Sequence, residues 1–176
     1  MLLDTHTRIL PMRNPVIRLV SPWKLLIVIL IWLSPVILAI ILRAGDVVMV
    51  VCFAISFVLI IGTMIFRLWF SREFRAGMKK YRRSDFAGAV PHFAAASAWL
   101  RDRPTLDGFA SFISASSVSF SQLAKLNLAA CYSHSGQIDA AIPILEELEQ
   151  KNPKFALARL HLNLLRNVRQ SSRSET

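Results

Sequence analysis

Histidine and cysteine, the side chains that most often hold metals or act as nucleophiles near neutral pH, are few and scattered in this chain of 176 residues. The histidines are His6, His92, His134 and His161, and their wide separation favours surface or binding-face positions over metal ligation. Cys52 and Cys131 are not expected to pair, which suits a reducing compartment. No Gly-rich phosphate loop, paired metal-ligand spacing or nucleophile elbow occurs. We therefore expect no catalytic residue, no cofactor, no metal and no small-molecule substrate, and a protein that is not an enzyme.

Two long apolar runs dominate the first third of the chain. Residues 25–42 and 47–66 are uncharged, and as helices they would be roughly 27 Å and 30 Å long, close to a hydrocarbon core of about 30 Å. Residues 43–46 separate them. The alternative, two buried helices of a soluble protein, is disfavoured because neither run carries a polar stripe. We predict a transmembrane helical hairpin over residues 23–67, with a kink at Pro35.

The net charge of +10 is concentrated on one side of this hairpin. Of the 21 basic residues, 11 lie just before the first run or just after the second. This asymmetry predicts cytoplasmic termini and an integral protein of the bacterial inner membrane, with residues 1–22 as a cytoplasmic lead-in. It also favours contact with anionic lipids over binding of nucleic acid. The basic collar after the second run consists of Arg67, Arg72, Arg75, Lys79, Lys80, Arg82 and Arg83.

The remaining chain predicts a small helical domain over residues 68–168. Helical periodicity indicates helices over residues 86–100, 122–133, 138–150 and 155–168, and the second apolar run is expected to continue as one helix to Arg83. Residues 101–121 form a serine-rich insertion, expected as a packed loop or a short helix. Ser119 and Gln122 have the spacing of a capping box, and Ser84-Asp85 can cap the helix that follows. Residues 169–176 are expected to be a disordered tail.

Part of this domain resembles the tetratricopeptide repeat (TPR), a helix–turn–helix unit of about 34 residues. The matching residues are Leu128, Tyr132, Gly136, Ala141, Ile142, Leu145 and Pro153. Residues 70–103 resemble a weaker copy. Lys125 and Ala129 depart from the tryptophan and glycine usual in the family, and the insertion departs from tight tandem spacing.

The resemblance implies an all-α repeat domain that binds a protein partner on a groove lined by the first helix of each repeat. Carried over to this sequence, the groove consists of Phe74, Met78, Tyr81, Asn127, Ala130, Ser133 and His134. Only Asn127 fits the family's carboxylate clamp, so we expect an apolar peptide or a partner helix as ligand. The alternative is that these residues pack only against the rest of the chain.

Together these features predict a membrane-anchored TPR adaptor, scaffold or assembly factor that recruits a protein partner to the cytoplasmic face of the membrane. An alternative is a small accessory subunit of a larger membrane complex, bound through its transmembrane hairpin.

Overall fold

The described chain is all-α, as predicted from the sequence. The structure is a computed structural model that describes residues 16, 21–42 and 45–174. Over these residues eight helices follow one another without a β-strand. They are α1 (Pro22–Ile41), α2 (Asp46–Phe70), α3 (Arg72–Arg82), α4 (Phe86–Arg101), α5 (Pro104–Ile113), α6 (Phe120–His134), α7 (Ile138–Lys151) and α8 (Ala156–Ser174). The rest of the predicted lead-in, residues 43–44 and the last two residues lie outside the described chain.

Helices α1 and α2 pack against each other as a hairpin of two apolar rods. Their most apolar windows have mean hydropathies of 2.7 and 2.8, and only 17% and 6% of those windows are buried. Two of the hydroxyls within them bond locally: those of Ser34 and Thr63 each donate to the backbone carbonyl three residues earlier, at 2.8 Å. Both helices are therefore long and apolar enough to cross a membrane, and they are not core helices of the described domain.

A turn at Ser71 divides the helix that was expected to run unbroken to Arg83, so that prediction is wrong. Ser71 leaves helical geometry, with φ −93° and ψ 14°, and α3 begins at Arg72. The guanidinium of Arg75 donates to the carbonyl of Leu68 at 2.5 Å, which satisfies one of the backbone acceptors left open at the end of α2. The break needs neither glycine nor proline, because polar groups nearby replace the lost helical hydrogen bonds.

Helices α3, α4, α6, α7 and α8 form the helical domain, in which α4 packs on α3 and α6, α7 on α6, and α8 on α7. Their shared core is fully closed to solvent at Phe93, Leu123, Ala141 and Leu162, which come from four of the five helices. The turn between α6 and α7 passes through Gly136 at φ +76°, a left-handed conformation that glycine adopts without steric cost. At the start of α4, Asp85 accepts a hydrogen bond from the Gly88 amide at 2.9 Å, which confirms the predicted cap.

The serine-rich insertion contains a short helix, α5, and a closed loop. Helix α5 packs against both α1 and α6 and so connects the hairpin to the helical domain. The predicted capping box is present: Ser119 Oγ accepts from the Gln122 amide at 3.2 Å, and Gln122 Oε1 accepts from the Ser119 amide at 3.4 Å.

The last helix extends to Ser174, six residues beyond the predicted end at Val168. The expectation of a disordered tail is therefore wrong for residues 169–174. Arg169 forms an ion pair with Asp139 of α7 at 2.8 Å, and the Ser171 hydroxyl bonds back to the Asn167 carbonyl at 3.1 Å. No glycine or proline interrupts residues 169–174, and these two contacts stabilise their helical conformation.

Candidate partner-binding surface

Helices α3 and α6 lie side by side and are joined by aromatic contacts at both ends. The rings of Phe74 and Phe120 meet edge to face at 5.9 Å, near the start of each helix. The rings of Tyr81 and His134 meet at 5.7 Å, near the end of each. The two helices therefore run in the same direction. We call the surface between them the α3–α6 face.

Most of the side chains predicted to line an open groove are buried along this face. Exposed fractions are 5% for Phe74, 6% for Met78, 2% for Tyr81, 0% for Asn127 and Ala130, and 5% for Ser133, while His134 is half-buried. The ring of Phe74 also packs on Phe93, and that of Tyr81 on Phe86. The expectation that these side chains stand open to a partner is wrong, because α4 and Val16 pack against this part of the core.

The buried part of the face is apolar enough to disfavour charge. Burial raises the pKa of the Tyr81 phenol well above its usual value, and proximity to Cys131 adds to the shift. Burial likewise raises the pKa of the Cys131 thiol to about 12, so this cysteine stays a neutral core residue.

Asn127 on α6 binds the backbone of Val16. Its Oδ1 accepts from the Val16 amide at 2.9 Å, and its Nδ2 donates to the Val16 carbonyl at 2.9 Å. The same Nδ2 donates to the carbonyl of Leu123 at 3.0 Å, which fixes the orientation of the carboxamide. Val16 itself is half-buried against the apolar core. One side chain thus satisfies both the backbone N–H and the backbone C=O of a residue that is 111 positions away in sequence.

A second contact fixes the same N-terminal segment just before α1. The Ser21 amide donates to the Ala115 carbonyl at 2.6 Å, and Lys24 Nζ donates to the Ser116 carbonyl at 2.8 Å. Ala115 adopts φ +50°, which turns the loop after α5 toward the hairpin. The sequence offered one signal for this docking: the residues between Pro15 and Pro22 are mostly apolar, with Arg18 as the one charge.

Apart from Arg67 in α2, the residues of the basic collar lie in α3 or directly after it, and four of them frame a depression whose floor is Phe74 and Met78. This depression has a volume of about 500 Å³, and its rim is Arg75, Lys79, Arg82 and Arg83. Lys80 pairs with Asp85 at 3.6 Å. Over the described chain, no salt bridge joins Arg72, Lys79, Arg82 or Arg83 to an acidic group. The side chain of Arg67 lies outside the described part. The α3 side of the face is therefore strongly positive.

Aromatic side chains gather where α2 meets the helical domain. Trp69 and Trp99 meet edge to face at 5.8 Å, and Phe66 packs on Phe109 at 5.5 Å. The Arg103 guanidinium lies over the Trp99 ring, 4.8 Å from its centroid. Beside them is a largely apolar cavity of about 190 Å³, lined by residues of α2, α3, α4 and α6. Tryptophans are typical of the boundary between hydrocarbon and water.

The described histidines make separate contacts, although His134 lies near His161. His161 is buried against Ser133, with its Nε2 at 3.3 Å from the hydroxyl oxygen. His92 pairs with Glu73 at 2.9 Å. Within the described ranges, no three histidine, cysteine, aspartate or glutamate side chains come close enough to share a metal ion. His6 lies outside the described residues.

Comparisons with protein-family models, curated proteins and solved structures find no match to this chain. The resemblance to the TPR family therefore depends on residue spacing alone.

Proposed function

We propose that this chain is a membrane-anchored adaptor whose helical domain, TPR-like in its spacing, recruits a protein partner through the α3–α6 face. The observation that carries the proposal is the pair of hydrogen bonds between Asn127 and the Val16 backbone. A carboxamide that both accepts from N–H and donates to C=O recognises an extended segment whatever its side chains are. A face that holds one extended segment in this way has the chemistry to hold a partner's segment.

The membrane part of the proposal is supported by the two apolar helices and by the charge distribution around them. A cytoplasmic location of both termini follows from the positive-inside rule, and the collar would then lie at the cytoplasmic surface, where anionic lipids attract lysine and arginine. The aromatic cluster at Trp69 and Trp99 suits the same boundary. A bacterial inner membrane is the setting that we propose.

Cysteine labelling in intact cells tests the topology. In a Cys52→Ser background, where the remaining Cys131 is fully buried, a cysteine placed at Gly45 or at Ser172 is treated with a membrane-impermeant maleimide. We expect labelling at position 45 and protection at position 172 until the cells are opened. The reverse pattern would invert the topology, and the helical domain would then be on the outer side.

Hairpin replacement tests whether the helical domain carries recruitment. Residues 25–42 and 47–66 of the full chain are replaced by leucine-rich spans of equal length, and both proteins are purified in mild detergent with whatever accompanies them. We expect the same partner with both. If the replacement loses the partner, the accessory-subunit alternative is favoured.

The accessory-subunit alternative has one structural observation in its favour. The lipid-facing side of the hairpin has an open recess of about 560 Å³ beside Pro35, lined by Leu30, Ile37, Leu38 and Ile55 among others. A transmembrane helix of a larger complex could pack into such a recess, because helix association in lipid depends on close van der Waals packing.

A further inference from the structure

The cavity at the end of α2 lies where two apolar core clusters of the described chain meet. Its volume is about 190 Å³, and its inner wall combines Phe74 and Ala96 of the main core with Leu100 and Phe120 of a second, smaller cluster. All four side chains are buried. An apolar cavity stays free of water and takes apolar guests, so this inner wall suits a hydrocarbon ligand.

The mouth of this cavity carries charge. Trp69, Arg72 and Glu73 complete the lining together with the half-buried Trp99, and these three are exposed. The carboxylate of Glu73 pairs with His92 at 2.9 Å. Arg72, by contrast, forms no salt bridge with any acidic group that the structure describes. Because a guanidinium can bind a carboxylate through two parallel hydrogen bonds, the mouth favours an anionic head group.

The volume of the cavity limits the length of the hydrocarbon. An apolar cavity of about 150 Å³ holds benzene, a molecule of six carbons, so about 190 Å³ leaves room for about seven or eight. A sphere of this volume is about 7 Å across, whereas each phospholipid tail spans half of the hydrocarbon core, about 15 Å. The cavity therefore fits a short single chain and excludes most of a phospholipid tail.

The cavity mouth lies at the level of the lipid head groups when the hairpin spans a membrane. Trp69 is three residues beyond Phe66, the last residue of the apolar span, which is about 4.5 Å along the helix. The head-group region adds about 5–8 Å to each side of the hydrocarbon core. Trp69 and Trp99 meet at 5.8 Å, and tryptophan favours this level. Membrane amphiphiles concentrate at the same level, so they can enter the mouth from the membrane surface.

From these observations we infer that the cavity binds a single-chain amphiphile with an anionic head group, of the class of a medium-chain fatty acid of about eight carbons. The alkyl chain packs against Ala96 and Leu100, and the carboxylate lies against Arg72. The amphiphile is a ligand and not a substrate. This inference uses the membrane location proposed above, but it does not depend on the recruited partner, so either proposal can fail without the other.

Quenching of Trp69 and Trp99 fluorescence measures occupancy of the cavity. Trp23 and Trp32 are replaced by phenylalanine in the full chain, which is purified in digitonin because this steroid detergent has no linear alkyl chain. The probe is 8-bromooctanoate, whose bromine quenches indole fluorescence at short range. We expect saturable quenching, and octanoate should displace the probe about tenfold or more better than butyrate or octylammonium does. Quenching that does not saturate, or equal displacement by octanoate and octylammonium, would overturn the inference.

Substitution of Ala96 tests the inner wall. In Ala96→Leu the larger side chain fills part of the cavity, and we expect a loss of octanoate affinity of about tenfold or more. Ala95→Leu, at the adjacent exposed position of α4, is the matched control and should bind octanoate as the unmodified chain does. Unchanged octanoate affinity in a folded Ala96→Leu chain contradicts the inference.

Substitution of Arg72 tests the mouth and remains informative if Ala96→Leu does not fold. Arg72→Gln replaces an exposed side chain, and we expect it to weaken octanoate binding several-fold without changing the binding of octylammonium. Arg82→Gln, also at an exposed position of α3, removes the same charge away from the cavity and should change neither affinity. An equal loss in both arginine variants would show that the net charge, and not a head-group contact with Arg72, attracts the anion.

Phosphatidylglycerol added to the digitonin micelles distinguishes a fatty acid from a bilayer lipid as the source of the alkyl chain. We expect phosphatidylglycerol to displace 8-bromooctanoate no better than octylammonium does, because its tails are longer than the cavity. If it displaces the probe as well as octanoate does, the cavity binds a bilayer lipid and the inference fails. Capture of a cellular partner by the unmodified chain would still support the adaptor function in either case.

Discussion

The carboxylate of Asp107, in α5, caps the first turn of α6 through the amide of Phe120. Its Oδ1 accepts from the Phe120 amide at 2.8 Å and from the Ser121 amide at 3.2 Å, and its Oδ2 accepts from the Ser121 hydroxyl at 2.5 Å. Asp107 is 7% exposed. The N-terminus of α6 thus depends on a side chain from the insertion, and so does the position of Asn127 farther along that helix.

We expect Asp107→Ala to destabilise the helical domain by about 2 kcal/mol, because two backbone donors at a helix N-terminus lose their acceptor. The measurement is thermal unfolding of the full chain in neutral detergent, followed by circular dichroism. Asp102→Ala is the control: the Asp102 carboxylate is 65% exposed and pairs with the adjacent Arg101, so the unfolding temperature of this variant should stay unchanged. Equal unfolding temperatures for both variants would show that the α5–α6 contact contributes little.

Gly77 in α3 leaves almost no space before the ring of Phe93. A Cβ at position 77 would lie 3.0 Å from Phe93 Cε1, and Phe93 is fully buried. Alanine normally favours a helix interior over glycine by up to about 1 kcal/mol, but overpacking a closed core costs about 1–3 kcal/mol. We therefore expect Gly77→Ala to lower the unfolding temperature and Gly77→Leu to lower it further.

The control for Gly77 is Gly108 in α5, where an added Cβ meets nothing within 4 Å. Gly108→Ala should keep or raise the unfolding temperature through helix propensity alone. If Gly77→Ala also raised the unfolding temperature, α3 and α4 would have to be farther apart than in this structure.

Local sequence signals identified most of the helices, because helix formation leaves a periodic apolar pattern and caps have a short spacing. The capping box at Ser119 and the cap at Asp85 were both predictable from residues that lie within one turn of each other. The sequence left two possibilities for the insertion, a packed loop or a short helix. The hydrogen bonds that fix it join Asp107 to α6 residues 13 and 14 positions away in sequence, so no local pattern reveals them.

Long-range contacts decided what the sequence could not predict. The turn at Ser71 has no glycine or proline to mark it, and the extension of α8 depends on Arg169 meeting Asp139 of α7. Nothing near Asn127 in sequence indicates that the Val16 backbone binds there. Phe74, Met78 and Tyr81 lie in a helix separate from α2, and the burial of the predicted groove residues depends on packing against α4 and Val16 that a single-helix pattern does not contain.

Glu147 of α7 accepts hydrogen bonds from two lysines whose side chains differ in solvent exposure. Its Oε1 is 2.5 Å from Lys125 Nζ in α6 and 2.7 Å from Lys151 Nζ in the same helix. Hydrogen bonds, first from Lys125 and then from Lys151, hold the pKa of the Glu147 carboxyl below its usual value. The Lys125 side chain is 15% exposed and that of Lys151 is 56% exposed, so solvent screens the second pair more.

We expect Lys125→Met to cost up to about 1 kcal/mol and Lys151→Met less than about 0.5 kcal/mol, the range of exposed pairs. A double-mutant cycle with Glu147→Gln isolates each coupling energy. A larger coupling for Lys151 would show that the contact between α6 and α7 at Lys125 is not maintained in solution.

His161 of α8 is buried in the uncharged form, and this predicts a pH dependence of stability. It is 1% exposed, and burial, reinforced by the nearby His134, lowers its pKa from 6.5 to about 4. The unfolded chain therefore binds a proton near pH 6.5, while the folded chain resists protonation until about pH 4. Because the unfolded state binds more protons in this window, the free energy of unfolding falls as pH falls.

The expected loss is about 2 kcal/mol between pH 7.5 and pH 5, from the two pKa values and the linkage relation. Denaturant titration of the full chain in neutral detergent at these two pH values measures it. His161→Leu should abolish most of the difference because no titrating group remains at that position, whereas His92→Gln, which removes the histidine paired with Glu73, should preserve it. Carboxylates such as Glu147, whose folded pKa is lowered, lose their contribution only at lower pH, so they do not confound this window. An equal pH dependence in the His161→Leu chain would place the sensitive group elsewhere.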